Sequence, residues 1–197
     1  MQLLVVGEDA LCCALGERLA RDCLPHWSLA APSINTRGVT QLRTQLPRYG
    51  RLAAHAYPVL CIADTDGQCA LHLRRAWIAT APSGLVLRLA VPEAESWVMA
   101  DAGAFAHSFA VPMAKVPRKP DEVADPKAEL LALARRSKRR PVRDEVVSAL
   151  DPTKAGSGYN LHLCAFVNTG WRAAVAAESS PSLRRALTAL SALAAGA

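Results

Sequence analysis

Twice in this chain an apolar run of strand length ends directly in carboxylates. Leu3-Leu4-Val5-Val6-Gly7 is followed by Glu8-Asp9, and Tyr57-Pro58-Val59-Leu60-Cys61-Ile62-Ala63 by Asp64-Thr65-Asp66-Gly67. Successive side chains of an extended segment alternate in direction, so Asp64 and Asp66 are expected to point the same way. Two carboxylates held side by side repel each other, which at neutral pH is tolerated when both are solvated or when a cation lies between them. The sharper of these readings is a divalent metal. In open α/β sheets the ligand crevice lies beyond the carboxyl ends of the strands, so two such strands in one sheet turn both acidic clusters toward one crevice.

The remaining pattern supports such a sheet. Strand-like segments at 3–7, 27–31, 57–63 and 85–91 alternate with helix-like segments near 10–21, 38–46 and 69–80. That alternation requires crossover connections and predicts an α/β, mainly parallel sheet flanked by helices. Gly67 and Pro82-Ser83-Gly84 put turn chemistry at strand boundaries. Beyond Val91 the character changes to a short helix at 94–100, a proline-rich loop over 111–126 and a helix over 126–138 with Pro126 in its first turn. Ser180-Pro181 opens a last helix in which Leu183, Leu187, Leu190 and Leu193 recur at helical spacing. The expected organisation is an α/β core over 1–110 with a helical extension over 111–197 packed on it.

Composition narrows the function classes. Of 197 residues, 51% are hydrophobic and 20% charged, which is globular and enough for a substantial core. No apolar run approaches the ~18 residues that span a bilayer, and no basic region precedes the first strand as in a signal peptide. A cytoplasmic protein without a membrane partner is expected. The six cysteines, at 12, 13, 23, 61, 69 and 164, show neither Cys-Xaa-Xaa-Cys pairs nor a histidine at zinc spacing, and read as reduced core thiols. The formal charge is +6, with much of it in Arg135, Arg136, Lys138, Arg139 and Arg140. That cluster is a footprint for nucleic-acid phosphates; the plainer alternative is a solvated helix end whose cations suit the C-terminal dipole.

A third acidic segment, Pro92-Glu93-Ala94-Glu95-Ser96-Trp97, follows the strand ending at Val91. Glu8, Asp64 and Asp66, with Glu93 and Glu95, make a set of hard oxygen donors of the kind Mg2+ or Mn2+ takes. One ion, or two at the ~3.5–4 Å separation of two-metal phosphodiester chemistry, would fit there. Each residue also has a simpler role. Glu8 could favour a helix start, Asp66-Gly67 could be a turn pair, and Glu93 and Glu95 could face solvent. Trp97 reads as a core anchor rather than a base-stacking platform, and His72 as structural rather than a base.

A strand ending in Gly-Glu (Glu8) and a second ending in Asp-Xaa-Asp (Asp64, Asp66) resembles the TOPRIM fold of topoisomerases, primases and the overcoming-lysogenisation-defect nucleases. Glu93-Ala94-Glu95-Ser96-Trp97 with Asp101, Asp125-Pro126-Lys127, Gly158-Tyr159-Asn160 and Ser180-Pro181-Ser182-Leu183-Arg184-Arg185 resemble a family of small TOPRIM-like bacterial proteins. The resemblance implies a Rossmann-like TOPRIM core and Mg2+-dependent (or Mn2+-dependent) nuclease action on DNA or RNA. It assigns metal and catalytic roles to Glu8, Asp64 and Asp66 and a charge-stabilising role to Lys127. It further implies an ATPase protein partner in a bacterial defence or genome-maintenance system, with self-association as a further possibility. Two alternatives remain: a catalytically idle TOPRIM-like interaction subunit, and a receiver-like phosphoacceptor domain, which Glu8-Asp9 and Asp64 imitate but which lacks its usual later residues.

Overall fold

In the computed structural model, which describes residues 1–196, the first apolar run forms β1 (Gln2–Gly7) and leads into α1 (Ala10–Cys23). Asp9 caps that helix, its carboxylate accepting from the Cys12 N–H at 2.8 Å, a bond that satisfies one of the orphan donors of the first turn. Two short strands follow, β2 (Ser28–Leu29) and β3 (Ile34–Asn35), then α2 (Val39–His55), β4 (Val59–Asp64), α3 (Ala70–Trp77) and β5 (Leu85–Ala90). The strands run β2-β1-β4-β5, with β3 also on β1, and each of these pairings is parallel. Val6 pairs with Cys61 and Asp64 with Ala90, so β1, β4 and β5 finish at the same edge of the sheet.

Helices cover both faces, as a parallel sheet requires. Leu4, Val6, Cys61 and Leu87 bury against α2 and α3, while Val5, Leu60 and Ile62 belong to the cluster that contains α1. The α/β expectation is met. Several boundaries differ from it. The strand expected over 27–31 shrinks to two residues, both exposed, so no burial sustains it. The helix expected over 38–46 continues to His55 because Tyr49 and Gly50 bury beyond Pro47, and that packing outweighs one lost helical hydrogen bond. The helix beginning at Pro126 ends at Ala134 rather than Lys138.

The second half adds α4 (Ala94–Ala100), α5 (Ala102–Phe109), α6 (Pro126–Ala134), a π-helical turn at Val142–Val146, α7 (Tyr159–Thr169), α8 (Ala173–Ser179) and α9 (Pro181–Ala195). Asp125 caps α6 and Ser180 caps α9 through side-chain oxygens. One apolar cluster runs from Leu3 to Leu190 and includes Phe105, Phe166 and Trp171, so the C-terminal helices complete the core of the α/β part. A buried charge pins them: Asp101, fully buried, accepts from the Arg172 guanidinium at 2.8 and 2.7 Å and from the Ala104 N–H. No helix among the described residues is long and apolar enough to cross a membrane.

The junction of β1 and α1 depends on a residue with no side chain. A Cβ at Gly7 would stand 2.5 Å from the Cys13 nitrogen and 2.9 Å from the Asp9 carbonyl oxygen, both backbone atoms that cannot yield cheaply. Gly7→Ala is therefore expected to cost about 2–3 kcal/mol, at the upper end of overpacking effects, as a lowered urea midpoint with an unchanged slope. A wild-type midpoint would show that α1 can shift freely on the sheet.

Candidate active site

Parallel pairing of β1 and β4 sets Glu8 beside Asp64. The Glu8 Oε2 accepts the Asp64 backbone N–H at 3.1 Å, and the Asp64 Oδ1 accepts the Ala94 N–H at 2.8 Å, from the start of α4. The Cys12 Sγ lies 3.9 Å from that same oxygen. Burial, and then the charges of Glu95, Glu8 and Asp9, push the Asp64 carboxyl up to about 9. Burial also raises Glu8; the Asp64 N–H opposes this, and the charges of Asp66 and Asp9 add to it. Asp9, not Glu8, is the helix cap, which leaves Glu8 free to face Asp64.

Asp66 reaches the site by a different route from strand alternation. β4 ends at Asp64, and Asp66 and Gly67 take φ values of +48° and +74°, a left-handed turn that Gly67 adopts without strain. The Thr65 and Asp66 N–H groups both donate to the Pro92 carbonyl at 3.0 Å, which ties this turn to the segment after β5. Asp66 is exposed, yet it borders with Asp64 a small cleft of about 120 Å³ that Thr40, Arg43 and Gln68 also line. The turn pair and the site residue are one feature.

The third acidic segment closes the other side. Glu95 is 5% exposed and accepts from the Tyr159 hydroxyl at 2.5 Å; the solvent-facing reading of Glu95 is wrong because α4 turns it inward. Glu93, half-buried, accepts the Lys127 backbone N–H at 3.1 Å, and the Lys127 ammonium sits 5.1 Å from the centre of the Tyr159 ring, within cation–π reach. Burial first, then the neighbouring carboxylate, raises Glu93, while burial raises Glu95 against the opposing Tyr159 hydrogen bond. Burial and Glu95 likewise push the Tyr159 phenol up. Glu93-Ala94-Glu95, Asp125-Pro126-Lys127 and Gly158-Tyr159-Asn160, far apart in the chain, therefore meet beside Asp64.

Chemically, the set is hard carboxylate oxygen held partly out of water, with the Lys127 charge acting on Glu93 and Glu95 against their burial. That donor chemistry suits Mg2+ or Mn2+. As the side chains stand, no group of three or more His, Cys, Asp and Glu among the described residues is arranged as a metal site, and Glu8 and Asp64 each spend an oxygen on a backbone N–H.

Other expected residues lie elsewhere. Trp97 is fully buried and donates to the Ser182 hydroxyl at 2.7 Å, a core anchor as expected. His72 is exposed on α3. Within the basic cluster, Arg139 donates to the Ser108 carbonyl at 2.7 Å and Arg140 pairs with Asp144 at 2.9 Å. Arg135, Arg136 and Lys138 stand exposed just past α6. A more voluminous apolar cleft, about 520 Å³ between α2 and the segment from α3 to β5, contains none of the carboxylates.

No protein-family model, curated protein or solved structure matches this chain. Cys12 belongs to the geometry of the carboxylates without having been singled out for it in the sequence, and Tyr159 entered there only within the resemblance. The partners of Tyr159 lie 64 and 32 residues away along the chain, and no local spacing announces them.

Proposed function

We propose that the chain is a Mg2+-dependent or Mn2+-dependent phosphodiester-cleaving protein acting on nucleic acid. The observation that carries this reading is the pair Glu8 and Asp64, bonded through the Asp64 N–H at the ends of adjacent parallel strands, with burial first and neighbouring carboxylates second raising both carboxyls. Glu8 and Asp64 would hold the ion, with Asp66, Glu93 and Glu95 around them. Bound there, a divalent ion would neutralise charge on the scissile phosphate and lower the pKa of a water molecule. The chain supplies orientation: backbone N–H groups fix Glu8 and Asp64, the Tyr159 hydroxyl fixes Glu95, and Lys127 offers an exposed ammonium to negative charge developing on phosphate. Arg135, Arg136 and Lys138, with Arg139 and Arg140 behind them, would hold the strand by its phosphates. The C-terminal helices would receive an ATPase partner.

A second reading, an idle interaction subunit, draws support from the absence of a ready three-residue metal site among the described residues. Supercoiled DNA, linear DNA, single-stranded DNA and transfer RNA, each incubated with Mg2+ or Mn2+, separate the two. Cleavage is expected to vanish with EDTA and to fall in Glu8→Gln and Asp64→Asn by more than the ~10–100-fold that loss of an outer-shell partner costs. Activity that survives both substitutions rules out the carboxylate site, and silence even with a co-purified partner favours the idle subunit.

A further inference from the structure

β5 reads Leu85-Val86-Leu87-Arg88-Leu89-Ala90, an apolar strand broken by one arginine. It is the last strand in the order β2-β1-β4-β5, so no further strand covers its outer side. At that edge Arg88 meets Arg74 of α3 and Arg185 of α9 around a cleft of about 300 Å³ that Leu71, Leu87 and Leu89 also line. The three arginines come from three elements widely separated in the chain. None of them is ion-paired among the described residues. The Arg88 Nε is buried and has no hydrogen-bond partner, and burial with the charges of Arg74 and Arg185 lowers the affinity of Arg88 for its proton.

Two of these side chains, Arg74 and Arg185, are exposed and would be unremarked alone. The orphaned donor of Arg88 is what solvation does not explain. A buried N–H without a partner costs about 1–3 kcal/mol, and more on a charged group, and two further cations placed against it add repulsion. A ligand that brings negative charge and several acceptor oxygens removes both penalties. Guanidinium forks match the oxygens of phosphate in geometry, and the buried Leu87 and Leu89 beside them lower the local dielectric and strengthen such contacts.

We propose that Arg74, Arg88 and Arg185 form a phosphate-binding pocket on the edge of the sheet, taking a phosphoryl group either free or carried in a nucleic-acid backbone. The pocket needs no divalent ion and stands independently of the carboxylate site.

Calorimetric titrations in EDTA test it, with pyrophosphate and with a short single-stranded oligonucleotide as probes, so that failure of metal chemistry cannot be mistaken for failure of this site. Wild type is expected to bind pyrophosphate, and Arg74→Gln/Arg185→Gln to bind it at least tenfold more weakly. Arg88→Met, which keeps an apolar stem of similar length, should do the same; should it not fold, the double substitution of two exposed side chains decides. Oligonucleotide binding that weakens in parallel and is displaced by pyrophosphate assigns the pocket to a strand. Oligonucleotide binding untouched by the substitutions assigns it to free phosphate. No pyrophosphate binding by wild type, or undiminished binding by the double variant, overturns the pocket.

Discussion

Asp64→Asn is expected to stabilise the protein, and to do so only above acidic pH. In the unfolded chain this carboxyl releases its proton near 4; in the folded chain, burial and three neighbouring carboxylates hold it to about 9. Between those values the folded state binds more protons than the unfolded one, so stability is greatest at low pH and is lost as pH rises toward 9. Glu8, Glu93 and Glu95, also raised, act in the same direction. Asparagine keeps the shape and the acceptor for the Ala94 N–H but has no proton to lose. The gain should be on the order of 3 kcal/mol at pH 9, an increase of roughly 6–12 °C in Tm for a chain of this size, and close to nothing at pH 4. Thermal melts of both proteins across pH 4–9 check this. A difference that does not depend on pH would mean that Asp64 is ionised in the fold at all these values.

Trp97→Ala should give the largest loss of stability of any single change in α4. The indole is fully buried, its Nε1 donates to Ser182 at 2.7 Å, and the Trp97 carbonyl accepts from the Trp171 Nε1 at 2.9 Å. Truncation opens a cavity among α4, α8 and α9 and leaves the Ser182 hydroxyl only its 3.3 Å contact with the Ser180 hydroxyl, for a cost of about 4–5 kcal/mol. Trp97→Phe should lose roughly half of that, because it refills most of the volume. Urea unfolding of the two variants measures the difference. Small effects on stability with a large effect on nucleic-acid binding would instead mark Trp97 as a base-stacking surface.

Features governed by neighbours in sequence were legible from the chain. The runs at Leu3 and Val59 announced parallel strands through continuous apolarity, and Ser180-Pro181 announced α9 through its cap. Features decided by tertiary packing were hidden. The helix expected near 38–46 runs on through Pro47 to His55, where the burial of Tyr49 and Gly50 sustains it. The helices α5 and α8, rich in alanine, carry no distinct apolar stripe; they are helical because Phe105, Phe109, Ala173 and Ala176 are buried in the shared core. At the site, Glu8 and Asp64 could be placed together from strand ends alone. The inward turn of Glu95 depends on Tyr159, and the meeting of Arg74, Arg88 and Arg185 depends on where α3 and α9 dock. The one visible sign of the latter was a lone arginine in an apolar strand.

Uptake of a divalent ion by the carboxylates is the central requirement of the proposed activity. Paramagnetic broadening of backbone resonances by Mn2+ at pH 8 measures this most directly, in wild type and in Glu8→Gln/Asp64→Asn. The expected result is broadening centred on Glu8, Asp64 and Ala94 that Mg2+ competes away and the double substitution abolishes. Hard oxygen ligands favour both ions, and binding should weaken as pH falls and the carboxyls take up protons. Broadening of the same residues in the double variant, or none in wild type, would contradict a metal site at the ends of β1 and β4.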